Sequence, residues 1–216
     1  MKKLFVFTAA LVMSITALFA QTDKYNAAMA ENLKAIEAAF KNPSELLALS
    51  NKFERIANAE KTQWLPYYWA AYCQVNYAFM QQEDKSKIDG LADKATELIN
   101  KADALQPNNS EISCIRSMIA TSKLMVDPMS RYMEYGAESN KQLEAAMKQD
   151  PTNPRPEFLI GQSLKYTPEQ FGGGCKPALE KFEASIKKYE TFKAASDFHP
   201  NWGKEYVQSL IDECKK

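Results

Sequence analysis

Aromatic side chains crowd one stretch of this sequence. Trp64, Tyr67, Tyr68, Trp69, Tyr72, Tyr77 and Phe79 all fall between positions 64 and 79. Aromatics at helical spacing serve a core first. So many on one helix cannot all point inward, and Tyr and Trp are the types that anchor partners at interfaces. A second candidate is Phe171-Gly172-Gly173-Gly174-Cys175-Lys176. Three glycines before a helix can present backbone N–H groups to a phosphate or carboxylate, with Lys176 adding charge. The run does not match a P-loop, which needs its first glycine five residues before Gly-Lys-Ser/Thr. Its alternative reading is a tight turn between two helices whose glycines supply positive φ.

The signatures of catalysis are missing. His199 is the single histidine, so a His pair, an HExxH motif and a facial triad are excluded. No GxSxG elbow occurs. A cysteine hydrolase would need Cys175 or Cys214 brought to His199 by the fold, without the local sequence that marks such enzymes. His199 is expected instead in a loop capping the last helix, with Pro200 in its first turn. The chain is therefore expected not to be an enzyme and to use no cofactor or metal. The four cysteines, Cys73, Cys114, Cys175 and Cys214, are too scattered for a zinc site and permit three pairings. If Cys175 opens the penultimate helix and Cys214 ends the last, antiparallel packing brings them together, so a Cys175–Cys214 disulfide is expected. Cys73 and Cys114 are expected to be small buried core residues.

The elements that must position these residues are helical. Glycine is scarce, with seven residues in 216, and Ala, Leu, Lys, Glu and Gln are plentiful. The pattern predicts about nine helices, at 23–40, 43–60, 63–81, 86–105, 109–126, 128–149, 154–165, 174–192 and 199–214. Asn42-Pro43-Ser44-Glu45 reads as a cap, a first-turn proline and a third-position acid. Asp127-Pro128 and Asn153-Pro154 repeat the cap-then-proline pattern.

A repeat runs through these helices. Ala95, Ile99, Ala102 and Pro107 give a small residue, a large apolar one, a small one and a proline. Ser139, Leu143, Ala146 and Pro151 repeat those offsets. Ala178, Phe182 and Ser185, and Leu49, Phe53, Ile56 and Lys61, repeat them without the proline. Small residues let helices approach, the bulky residue fills the hollow between them, and proline stops the second helix. Ser117 and Gly161 take the close-contact position of the preceding helices. The run resembles the tetratricopeptide repeat over most of 43–190. Pro107 and Pro151 lie 44 positions apart, against the family period of 34, so the helix pairs are enlarged. The resemblance implies an all-α superhelix of antiparallel helix pairs with a concave groove. Its face would hold Leu65, Tyr68, Tyr72, Val75 and Asn76; then Glu111, Cys114, Met118, Thr121 and Ser122; then Arg155, Phe158, Gln162, Lys165 and Tyr166. Tyr68, Tyr72, Asn76, Met118, Arg155, Phe158, Gln162 and Lys165 are the expected partner-binding set. The Lys and Asn set of a carboxylate clamp is not among them. The chain is also similar to a group of exported bacterial proteins that carry Trp64-Leu65-Pro66-Tyr67-Tyr68, Phe171-Gly172-Gly173-Gly174 and His199-Pro200-Asn201-Trp202-Gly203-Lys204.

Lys2 and Lys3, the apolar run Leu4–Val12 and Ala17-Leu18-Phe19-Ala20 read as a signal peptide, residues 1–20, cleaved after about Ala20. Residues 21–216 form one helical-repeat domain, with no further segment able to span a membrane. Basic and acidic residues both number 27; removing Lys2 and Lys3 leaves 25 against 27, or −2. Such a balance gives no pull toward nucleic acid or anionic lipid. The expected function is a non-catalytic scaffold, periplasmic or secreted, that binds a protein or peptide in its groove. The alternative is a periplasmic helical protein that binds a small ligand, if the array closes into a pocket.

Overall fold

The computed structural model describes residues 22–216, so the expected signal segment and its cleavage after Ala20 lie outside the described residues. Residues 22–39 form α1. It is followed by α2 (Pro43–Glu60), α3 (Trp64–Phe79), α4 (Ile88–Leu105) and α5 (Ser110–Leu124). Next, α6 (Pro128–Arg131) runs through a π-helical turn (Tyr132–Gly136) into α7 (Ala137–Gln149). The chain ends with α8 (Arg155–Tyr166), α9 (Cys175–Tyr189) and α10 (Lys204–Cys214). The described residues contain no strand, and none of their helices is long and apolar enough to cross a membrane. The architecture is all-α.

Local chemistry sets the helix starts. Asn109 accepts the Glu111 N–H at 2.9 Å, and Asp127 accepts that of Ser130 at 3.3 Å. Asn153 accepts the Arg155 N–H at 2.9 Å, with Pro154 beside it. Asn42 stands at the N-cap of α2 with Pro43 next, but its side chain takes the Ser44 hydroxyl instead of a backbone N–H.

Consecutive helices pack in antiparallel pairs: α2 on α3, α3 on α4, α5 on α7, α8 on α9 and α9 on α10. The repeat residues make the seams. A Cβ on Gly161 would lie 2.6 Å from the ring of Phe182, so only glycine lets α8 reach α9. The hydroxyls of Ser117 and Ser139 meet at 2.8 Å between α5 and α7. Buried serines also tie helix to helix: Ser50 donates to the Ala70 carbonyl, Ser110 to that of Ala146, and Ser185 to that of Pro154. Phe53, Leu98, Ile99, Leu143 and Phe182 fill the hollows and are fully buried or nearly so. Each contributes about 1.5–3 kcal/mol of apolar transfer. α3 touches α5, and α5 touches α8, so these three make the inner layer that carries the expected groove face.

Two boundaries depart from expectation. α9 stops at Tyr189, and the last helix begins at Lys204, not at 199. Gly203, at φ 112°, sits before α10 in a conformation that only glycine adopts readily, and Pro200 precedes it. Residues 190–203 consequently form an extended strap without regular structure. His199 does not cap the last helix. Cys175 and Cys214 are joined by a disulfide with Cα atoms 5.1 Å apart, tying the start of α9 to the end of α10. Cys73 and Cys114 are free and buried.

Candidate functional site

The strap folds back across the N-terminal halves of the inner helices. Trp69 donates its indole N–H to the Phe198 carbonyl at 2.8 Å, and Trp202 donates its own to the Tyr68 hydroxyl at 2.8 Å. Tyr189 donates to the Trp202 carbonyl at 2.7 Å. Tyr25 meets Phe198 edge-on, and Trp64 meets His199.

Beneath the strap lies Arg155, the largest side chain with essentially no exposure. Its Nη1 donates to Glu111 at 2.8 Å, and the same carboxylate oxygen accepts from Asn153 at 2.9 Å. The guanidinium stands 4.9 Å from the ring of Phe192, 5.0 Å from Trp202 and 6.0 Å from Tyr189. Among the described residues its Nε and Nη2 find no hydrogen-bond partner, and the rings supply solvation of the charge there. Burial pushes Glu111 upward in pKa, while the Arg155 charge pulls it back. Burial likewise lifts Tyr68 well above an ordinary phenol.

The expected groove is therefore not an empty channel. Tyr68, Tyr72, Met118, Arg155 and Phe158 are buried, and Asn76, Gln162 and Lys165 are half-buried. The reason is physical: an empty groove would leave Tyr68, Trp69, Tyr72 and Phe158 wet, and the strap brings Phe192, Phe198 and Trp202 to dry them. The C-terminal end of the inner face carries the exposed rings, Tyr166 and Tyr206. There the rings form a track. Tyr72 and Trp202 are 5.1 Å apart, Trp202 and Phe158 6.1 Å, and Phe158 and Tyr206 5.9 Å. Burial lifts the Tyr206 phenol to about 12, so it stays protonated at neutral pH. The outer end is open, with Tyr206 47% and Tyr166 66% exposed. Lys165 lies 5.1 Å over the Tyr166 ring and pairs with Glu213.

At the opposite end of the inner helices is a recess of about 400 Å³, whose lining includes Trp64, Asn109, Glu111, Asp150, Phe192, Lys193 and His199. It is mainly polar, and most of its carboxylate and amide groups already bond within the fold. His199 bonds Ser196 through Nδ1 at 2.7 Å. Burial lowers its pKa below 6.5. The unfolded chain thus takes up a proton at a higher pH than the folded one, and stability falls as pH drops through 6.5. The stability difference between the wild type and His199→Gln is expected to move against the wild type between pH 7.5 and 5.5 in urea titrations. A constant difference would mean that His199 is not desolvated by the strap.

The glycine run is a turn and not an anion cradle. Gly172 donates its N–H to the Glu169 carbonyl, Gly173 to that of Pro168 and Gly174 to that of Leu164, at 2.9, 3.2 and 2.9 Å. No N–H of the three is left to face a phosphate, and Lys176 projects into solvent. Gly172 and Gly174 adopt φ of 82° and 96°. A Cβ on Gly173 would fall 2.0 Å from the Thr167 carbonyl oxygen.

Trp202 and Tyr206 were not among the expected groove residues. The available signal was the run Phe192, Phe198, Trp202 and Tyr206, broken by Pro200 and Gly203. Such a run is too punctuated for one helix and too aromatic for a solvated loop.

No protein-family model and no curated protein matches the chain, so the repeat resemblance rests on the helix pairing alone. Among solved structures, the chain is similar to the HusA haemophore from Porphyromonas gingivalis. The TM-score is 0.78 at 38% sequence identity, covering 88% of this chain and 92% of that one.

Proposed function

We propose a haem carrier: this chain belongs to the family of the HusA haemophore, and its inner face ends in an open aromatic track. The kinship is the observation that carries the reading, and the track gives the cargo a place. Haem is a flat apolar macrocycle with two carboxylate arms. The exposed Tyr166 and Tyr206 rings at the outer end of the track offer apolar faces to such a plane. Lys165, at the rim of the track, is the cation that would meet a carboxylate arm, in exchange for Glu213. The expectation of a peptide or protein partner gives way to its small-ligand alternative, because the strap fills the surface where a peptide would lie. The protein in this reading is a carrier and not a catalyst, since no acid, base and nucleophile converge on the track. Export fits the Cys175–Cys214 disulfide, which an oxidising compartment favours.

The rings hold the macrocycle in this reading. The single histidine is in the polar recess, and the Tyr206 phenol is protonated at neutral pH. Haemin titration followed by the Soret band is expected to saturate at one site. Metal-free protoporphyrin IX is expected to bind with comparable affinity. Tyr166→Ala combined with Tyr206→Ala is expected to weaken binding by about tenfold or more, and His199→Ala to leave it unchanged. Loss of binding in His199→Ala alone would move the site to the recess beside Trp64. A wild type that binds neither ligand would overturn the reading.

A further inference from the structure

Arg155 is placed where it cannot meet a ligand, yet it touches the residue that would. Its side chain has no exposure. It sits at the first position of α8, fixed by the Asn153 cap on its N–H and by a 2.8 Å ion pair to Glu111. Glu111 belongs to the inner layer and Asn153 to the turn that leads into it, so Arg155 is anchored before any strap residue is considered. Two strap residues ten positions apart, Phe192 and Trp202, then converge on it at 4.9 and 5.0 Å. The strap has no helix or strand to hold its shape. Apart from this convergence, Trp202 is held by its indole N–H on Tyr68, its carbonyl under Tyr189 and ring contacts with Tyr72 and Phe158.

We propose that Arg155 is a positioning residue for the ligand track: it clasps the 190–203 strap so that Trp202 forms the floor of the track, and it thereby sets ligand affinity without touching the ligand. This rests on the haem reading. The chemistry requires arginine. A planar guanidinium presents its faces and edges to several rings while donating to a carboxylate, whereas a lysine ammonium is a point charge that can approach one of them. Two donors left without hydrogen-bond partners in the middle of a protein are costly unless something else solvates them. Among the described residues three rings do so, and two of them belong to the strap. The strap is therefore drawn to the guanidinium as much as the guanidinium to the strap.

The test is a double-mutant cycle on the full protein with haemin as the probe. Arg155→Lys is expected to weaken haemin binding about tenfold, and Trp202→Ala at least as much. The double variant is expected to bind within about twofold of Trp202→Ala, because residues acting through one contact are not additive. Losses that multiply in the double variant, or an Arg155→Lys protein that binds like the wild type, overturn the proposal. Amide hydrogen exchange of the ligand-free protein reads the clasp independently. Arg155→Lys is expected to speed exchange across 190–203 while α3, α5 and α8 keep their protection. Unchanged exchange in the strap overturns the clasp even if haemin binds. A wild type that binds no haemin overturns the haem reading and the affinity arm with it, and the exchange arm then decides the clasp. If Arg155→Lys does not fold, Phe192→Leu removes one ring from the same guanidinium and enters the same cycle and exchange measurement with the same expected outcomes.

Discussion

Replacing Glu111 with glutamine is expected to lower the unfolding free energy by about 3–5 kcal/mol, the usual loss when one member of a buried ion pair is removed. The substitution keeps the shape and a hydrogen-bonding oxygen for Arg155 Nη1 but removes the negative charge opposite the guanidinium. Arg155 has no exposure and Glu111 only 14%, so the guanidinium stays out of bulk water when the opposing charge is removed. Urea denaturation at pH 7 measures the change. A loss below about 1 kcal/mol, the range of exposed pairs, would mean that the three rings suffice for the cation. Exchanging both partners for apolar residues of similar volume is expected to cost much less than removing one.

The second large effect concerns the disulfide. Cys175 and Cys214 are 39 positions apart, and closing a loop of that size in the unfolded chain corresponds to about 4 kcal/mol. Replacing both with serine, or adding reductant to the wild type, is expected to lower Tm by about 10 °C. Scanning calorimetry reads this. The effect reaches the site as well, because α10 brings Tyr206 to Phe158 and Glu213 to Lys165. α10 spans only 11 residues, too short to persist as a helix by itself, so the helix and its contribution to the track depend on being held against α9. A Tm unchanged by reductant would mean that Val207, Leu210 and Ile211 alone hold α10 in place.

The helix pairs were readable from the sequence because their determinants are local and periodic. Gly161 against Phe182 is a small position meeting a large one, and Ser117 against Ser139 two small positions meeting, as the repeat spacing requires. The disulfide was readable from the same logic, since antiparallel neighbours bring the first residue of one helix to the last of the next. The strap was not readable. Its segment has no period, and its value lies in pairings with residues more than a hundred positions earlier. Carrying the repeat's concave face onto the chain assumed that nothing covers it. On that assumption Arg155 looked like a groove cation, whereas in the fold it is sealed beneath Phe192 and Trp202. The glycine run failed for another reason. Composition shows that three N–H groups could face outward, but only the backbone path through Leu164, Pro168 and Glu169 shows that they turn inward.

The strap also fixes an order of events. Trp202 meets Tyr68 across 134 positions, and Phe198 meets Trp69 across 129. A chain made from its N-terminus forms α1 to α4 long before the residues that cover them exist. During that interval Tyr68, Trp69 and Tyr72 present a bare aromatic surface, the kind on which incomplete chains aggregate or a chaperone takes hold. Such distant pairings also form slowly. The aromatic surface would thus be covered only when the last quarter of the chain is complete, and a chain truncated before Trp202 would keep most of its helices and leave that surface bare.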